Sequence, residues 1–319
     1  MDSTGFRAAL DEGGVLVLDG GLATQLEAQG ADLSDGLWSA RLLTDDPAAI
    51  TEAHLAYYRA GARIATTASY QATFEGFARR GLARDDAAAL MRRSVALAET
   101  ARSIVVAERS AAGIVTPALF VAASIGPYGA MLADGSEYRG RYGLSIAQLR
   151  DFHRERLDVL AGTGADVLAV ETIPELEEAV AIAELLADRP AAAAWISVTC
   201  MDGGHLRSGA PIEELVAALD GSPGVLAIGV NCTAPEHVEE AVTRIAATTR
   251  LPVVAYPNSG EGWDATERTW TGTGAGAAEG RLDAAAARRW RAAGARLIGG
   301  CCRVTPDQVA GLATGLAGG

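Results

Sequence analysis

The sequence contains no lysine, so all 27 of its basic residues are arginine. That absence excludes Schiff-base chemistry, a phosphate-binding-loop lysine and a lysine general base. Histidine is scarce. The four present, His54, His153, His205 and His237, never stand two or four residues apart, so the paired-histidine sites of metallohydrolases find little support. No Gly-x-Ser-x-Gly elbow occurs, which removes the usual mark of a serine hydrolase. Aromatic residues make up 5% of the chain, leaving Ala, Val, Leu and Ile to build the core. No apolar stretch reaches membrane-spanning length, and no basic segment leads into an apolar run at the start. A cytoplasmic protein with no membrane partner is expected. The charge balance is −13 with a pI near 4.8. Such an acidic surface repels phosphate backbones, so nucleic acid is not an expected partner either.

What is present is a long, regular alternation over 319 residues. Short apolar runs predict strands at 15–19, 63–68, 119–125, 166–171, 193–199, 225–231, 252–256 and 296–300. Amphipathic stretches predict helices at 47–60, 85–108, 146–163, 175–187, 212–219, 235–247 and 283–293. Strands alternating with helical crossovers imply a parallel sheet. Eight of them make a closed (β/α)8 barrel the economical fold, with a doubly wound open sheet as the alternative. No Pro- or Ser-rich linker interrupts the chain, so one domain over 1–319 is expected. Glycines at 61, 162, 164 and 294 sit where helices should stop. The segment 258–280 is too long for an ordinary connection and is expected at the barrel mouth. Within it, Gly272-Thr273-Gly274-Ala275-Gly276 has the look of a dinucleotide loop but follows no strand.

In a barrel, chemistry gathers where strands end at the C-terminal face. Cys232 ends one predicted strand, and Cys301-Cys302 follow another after Gly299-Gly300. The fourth cysteine is Cys200. Three thiolates converging from two strands could hold Zn²⁺ and keep a fourth position open. Two other readings stay open at this point: a vicinal redox pair at Cys301-Cys302, and a structural zinc closed by Cys200. Asp19, followed by Gly20 and Gly21 and then a helix start, suits an ammonium beside free backbone amides. With Glu171 it suggests a holder for an α-amino acid. Alternatively, Asp19 caps the following helix and Glu171 pairs with an arginine. Tyr70, Gln71, Asn231 and Tyr256 also fall at strand ends.

Several segments resemble the homocysteine S-methyltransferase family. They are Asp19-Gly20-Gly21-Leu22-Ala23-Thr24-Gln25-Leu26-Glu27, Leu37-Trp38-Ser39-Ala40, Thr67-Ala68-Ser69-Tyr70-Gln71-Ala72 and Ser124-Ile125-Gly126-Pro127-Tyr128-Gly129. Further along come Glu171-Thr172-Ile173-Pro174, Gly229-Val230-Asn231-Cys232, Tyr256-Pro257-Asn258-Ser259-Gly260-Glu261 and Gly299-Gly300-Cys301-Cys302-Arg303. They run in order over almost the whole chain. The resemblance implies a zinc-dependent TIM barrel that moves a methyl group onto L-homocysteine, giving methionine. By matching position, Cys232, Cys301 and Cys302 would hold the zinc. Asp19 and Glu171 would hold the amino group of homocysteine, and the Gly20 and Gly21 amides its carboxylate. Trp38, Tyr70, Gln71, Asn231, Tyr256 and Asn258 are further substrate-binding candidates, with Trp38, Tyr70 or Tyr256 offering an aromatic face to a cation. Family members differ in donor. The segments around Tyr70 and Tyr256 look more like those of enzymes using S-methylmethionine or S-adenosylmethionine than of those using betaine, and there is no room for a cobalamin or folate module.

Overall fold

The computed structural model describes residues 1–33, 38–260, 262–264, 269–271 and 282–317. Seven parallel strands come in sequence: β1 (Leu16–Val17), β2 (Ile64–Thr66), β3 (Phe120–Ile125), β4 (Val167–Ile173), β5 (Ala194–Val198), β6 (Val225–Asn231) and β7 (Val253–Tyr256). A short antiparallel pair, β8 (Gly262–Asp264) and β9 (Thr269–Thr271), intervenes before β10 (Ala295–Ile298). Spatial order is β1-β10-β7-β6-β5-β4-β3-β2, parallel throughout. A parallel bridge between Leu18 and Ile64, with Arg63 N donating to Val17 O, joins the two ends. The ring is closed: this is a (β/α)8 TIM barrel, not an open sheet.

Period-two alternation sorts each strand between two cores. In β4, Val167 and Ala169 point into the barrel, while Leu168 and Val170 pack beneath the helices. The interior combines small residues (Ala122, Ala169, Ala193, Ala227) with Trp195 and Tyr256, whose ring centroids are 6.4 Å apart. The helix Thr4–Asp11, which the strand and helix pattern does not predict, closes the bottom. Its Phe6 is fully buried and meets Phe120 edge-on at 5.4 Å.

The outer helices start and stop for local reasons. Asp46 accepts from Ala49 N with Pro47 at the first turn, and Ser145 and Thr305 each form a capping box with the glutamine three residues on. Gly61 (φ 106°) and Gly294 (φ 121°) stop helices in the left-handed region, as expected. Gly162 does not, having φ −80°. There Thr163 ends the helix instead, its hydroxyl donating to Leu160 O and accepting from Ala165 N. Among the described residues no helix is long and apolar enough to cross a membrane. The segment expected to be irregular at 258–280 contains the β8–β9 pair; residues 272–276 lie outside the described part.

Candidate functional site

Because β6 and β10 both flank β7, their C-terminal ends meet over its end. Cys232 follows β6 and Cys301-Cys302 follow β10, and the three sulfurs lie within 4.8 Å of one another. Cys302 Sγ is 3.8 Å from Cys232 Sγ and 3.9 Å from Cys301 Sγ. A tetrahedral ion with zinc–sulfur bonds of about 2.3 Å separates its sulfur ligands by roughly 3.8 Å, so two of the three edges already fit. The third edge is shorter, for Cys232 and Cys301 are in disulfide contact with Cα atoms 5.7 Å apart. Cys200 is buried in the outer core, its thiol pushed up to about 12 by burial, and stands outside the cluster. A site closed by four cysteines is not what the fold assembles.

The cysteine loop is held from several sides. Cys301 N donates to Pro257 O, Gly300 N to Asp19 O, and Ser259 N to Cys302 O. The 19–24 turn packs face to face on it. A Cβ at Gly20 would stand 2.5 Å from Val304 O, and one at Gly21 would stand 2.8 Å from Cys301 O. Close approach of two loops, rather than approach to a ligand, therefore explains both glycines. Gly21 N is committed to Val304 O, so the carboxylate-binding role expected of both amides narrows to Gly20. Tyr57, which the sequence gave no reason to single out, pins the contact with its buried hydroxyl 2.8 Å from Gly21 O and 2.9 Å from Val304 O. Tyr57→Phe is expected to cost about 1 kcal/mol in thermal or denaturant unfolding by removing this buried hydrogen bond. It should also loosen metal retention in a chelator competition, and wild-type values in both would refute the role.

Asp19 and Glu171 are both buried and are coupled electrostatically. Asp19 does not cap the following helix. It accepts from Thr66 N at 2.6 Å and Thr66 Oγ1 at 2.9 Å. Among the described residues Glu171 pairs with no arginine; it accepts from Ser124 Oγ and bonds the Tyr256 hydroxyl. Burial, opposed by these hydrogen bonds, pushes Asp19 up to about 8 and Glu171 up to about 7. Among the described residues neither has a basic partner, although twenty-seven arginines are available elsewhere. Two buried carboxyls held only by neutral donors have the chemistry to take up a cation.

Tyr256 bonds Glu171 directly, and Asn231 bonds Thr172, the neighbour of Glu171 in the chain. Asn231 Oδ1 accepts from Thr172 N at 2.7 Å and Ser197 Oγ at 2.9 Å, and Nδ2 donates to Thr172 Oγ1 at 2.7 Å. Nδ2 also reaches Cys301 Sγ at 3.9 Å, so Asn231 ties the end of β4 to the sulfur cluster. Thr172 needs that support. It holds φ 62° at the point where the β4–β5 register slips, leaving Glu171 on the inward face. Cys232 (φ 44°) and Arg303 (φ 66°) are strained likewise, so three of the five described non-glycine residues at positive φ belong to this site. The Tyr256 hydroxyl meets Ser197 Oγ at 2.6 Å and Trp195 Nε1 at 3.1 Å, besides Glu171, and so fixes that carboxyl in place.

Tyr70 stands half-buried beside Thr172, its hydroxyl hydrogen-bonded to that side chain. Gln71 is buried with Oε1 unpartnered. Asn258 Oδ1 accepts from Gly260 N and so shapes its own turn. Trp38 begins the helix Trp38–Asp45, but its side chain lies outside the described residues. Thr66, Ser124 and Ser197 escaped the sequence reading although a signal existed: each is a polar residue in the inward phase of an otherwise apolar strand. Tyr138 hydrogen-bonds Cys302 from the loop after β3, where no periodicity could have pointed to it.

A family model described as homocysteine S-methyltransferase matches residues 16–316. The chain is 51% identical over 306 residues to the homocysteine S-methyltransferase of Escherichia coli strain K12, covering 96% of each. It is 46% identical to homocysteine S-methyltransferase YbgG of Bacillus subtilis strain 168, covering 94% of each. The crystal structure of the E. coli homocysteine methyltransferase MmuM in its metallated form superposes with a TM-score of 0.86 at 48% identity, covering 98% of this chain and 99% of that one.

Proposed function

The chain belongs to the homocysteine S-methyltransferase family and is a methyltransferase, and from that premise we propose that it transfers a methyl group from a sulfonium donor to L-homocysteine. The donor is S-methylmethionine or S-adenosylmethionine, the product is methionine, and Zn²⁺ is held by Cys232, Cys301 and Cys302. The observation that carries the reading is the position of two cation-free buried carboxyls, Asp19 and Glu171, at the same barrel mouth as three converging sulfurs. One half suits an amino acid's ammonium, the other the metal that its thiol needs.

When bound, the zinc supplies a Lewis acid that keeps the homocysteine sulfur deprotonated at neutral pH. The chain's residues do the remainder. Asp19 and Glu171 ionise as they take up the ammonium, and the Gly20 amide takes the carboxylate. Ser124 and Tyr256 fix the Glu171 carboxyl, and Thr66 fixes Asp19. Gln71 Oε1 offers a spare acceptor, and the Tyr70 ring an apolar face for the donor. The homocysteine thiolate attacks the methyl carbon in line with the departing sulfur. One S–CH₃ bond forms, the other breaks with its electron pair going to the donor sulfur, and anion and cation both become neutral thioethers. Exclusion of water favours a reaction that cancels charge. No general base acts on the methyl group.

The disulfide contact between Cys232 and Cys301 is what a thiol-redox reading would rest on. That reading leaves the carboxyl pair without a purpose. A donor panel with homocysteine as acceptor tests the proposal: turnover with S-methylmethionine or S-adenosylmethionine, with about one zinc per chain, is expected. Turnover with betaine alone, or a metal-free protein of full activity, would refute it.

A further inference from the structure

The loop after β3 carries a group that none of the roles above uses. It runs through the short helix Tyr128–Leu132 into a 3₁₀ turn, Ser136–Tyr138, which packs on β4 at the barrel mouth. Its path is fixed. Ala133 and Gly135 take left-handed conformations, Asp134 Oδ1 accepts from Ser136 N, and Ser136 O accepts from Arg139 N and Gly140 N. Gly129 lets the turn seat directly on the helix, since a Cβ there would stand 2.5 Å from Glu137 N. Tyr138 reaches Cys302 with its hydroxyl while the Arg207 guanidinium lies 5.9 Å from its ring.

Glu137 sits in this rigid turn with Oε2 buried and without a hydrogen-bond partner. It adjoins Tyr138 in the turn and lies within electrostatic reach of Tyr70 and Cys302. Burial raises its carboxyl to about 7, with Arg139 the basic residue that offsets this. A desolvated carboxylate oxygen with nothing to accept is costly unless a ligand supplies the missing donor or charge. Asp19 couples instead to Glu171, so the mouth has two separate anionic positions: one pair on the strand ends and one carboxyl on the rim.

We propose that Glu137, framed by Tyr70 and Tyr138, is the subsite for the positive charge of the methyl donor. The inference rests on the sulfonium reading above and deepens it. The homocysteine ammonium already has two carboxyls, which leaves Glu137 as the anionic position at the mouth with no cation assigned to it. The donor enters as a cation and leaves as a neutral thioether at its sulfur. A carboxylate there binds the ground state and is released from that charge as the methyl group moves. Removing it therefore weakens donor binding without slowing the chemical step.

The test is Glu137→Gln, which keeps the shape and removes the charge. The KM for S-methylmethionine, and its Kd by calorimetry on the zinc-loaded protein without homocysteine, should rise about 10- to 100-fold. The KM for homocysteine and the zinc content should stay at wild-type values, which also reports an intact fold, and kcat should not fall. Glu137→Asp should recover part of the donor affinity. An unchanged donor KM and Kd, or equal losses for donor and homocysteine, would overturn the assignment. If the wild type uses a different cationic donor, the sulfonium reading falls, and the same comparison is made with that donor. There a charge-dependent KM shift supports the subsite and its absence overturns it.

Discussion

Cys302→Ser yields a folded barrel that carries no zinc and transfers methyl groups at least ~10³-fold more slowly, the several kcal/mol a metal centre supplies. The physical reason lies in the thiol's setting. Burial, with Glu171 and Glu137 nearby, pushes the Cys302 thiol up to about 12. Without a cation it stays protonated. A dication repays that cost by binding three thiolates at once, which is why the trio must act together and why affinity should fall as pH drops. Serine keeps the shape but its alcohol does not ionise near neutrality, so the remaining two sulfurs face a site with one ligand too few. The fold should hardly notice. Cys302 is largely buried in a loop whose main chain is tied by Ser259 and whose packing rests on Val304 and the glycines. Elemental analysis, a melting curve and a turnover assay check this together. Stoichiometric metal with near-normal turnover would remove Cys302 from the ligand set.

Asp19→Asn should raise the KM for homocysteine about 100-fold while making the free protein more resistant to heat, most clearly in alkaline buffer. Both effects come from one buried charge. An ordinary carboxyl titrates near 4, whereas in the fold Asp19 is raised to about 8 and Glu171 to about 7. Between those values the native state holds protons that the unfolded chain releases. Their contribution to stability is thus fully present below about pH 4 and lost as pH rises through 7 to 8. Asparagine escapes that loss at position 19, so the gap in melting temperature between variant and wild type should widen from pH 5 to pH 9. The wild type should also release protons when homocysteine binds, visible as calorimetric heats that depend on the buffer. A variant no more stable than the wild type at pH 9, or one with an unchanged KM, would contradict the ammonium role.

Much of this is written locally in the chain. The eight parallel strands announce themselves as short apolar runs, because a barrel strand is buried on both faces. The helices between them show amphipathic spacing and caps. The motif segments identify the family, and Cys232 and Cys301-Cys302 stand out because thiols are few. The alternation of inward residues even carried an unread signal, since Thr66, Ser124 and Ser197 break an apolar phase. Less legible were the segments whose conformation is set by contact: the bottom-closing helix around Phe6, the turn holding Glu137 and Tyr138, and the β8–β9 pair.

The sequence by itself determined the strand count, the parallel class and which side chains could do chemistry, for these depend on spacing along one segment. Only the tertiary structure decided what each does. It used Asn231 and Tyr256 as supports, spent the Gly21 amide on Val304 and set Cys200 apart from the cluster. It also left Asp19 and Glu171 without a countercharge among their described neighbours. Hydrogen-bond partners and desolvation are properties of residues brought together from distant segments, and no local pattern encodes them.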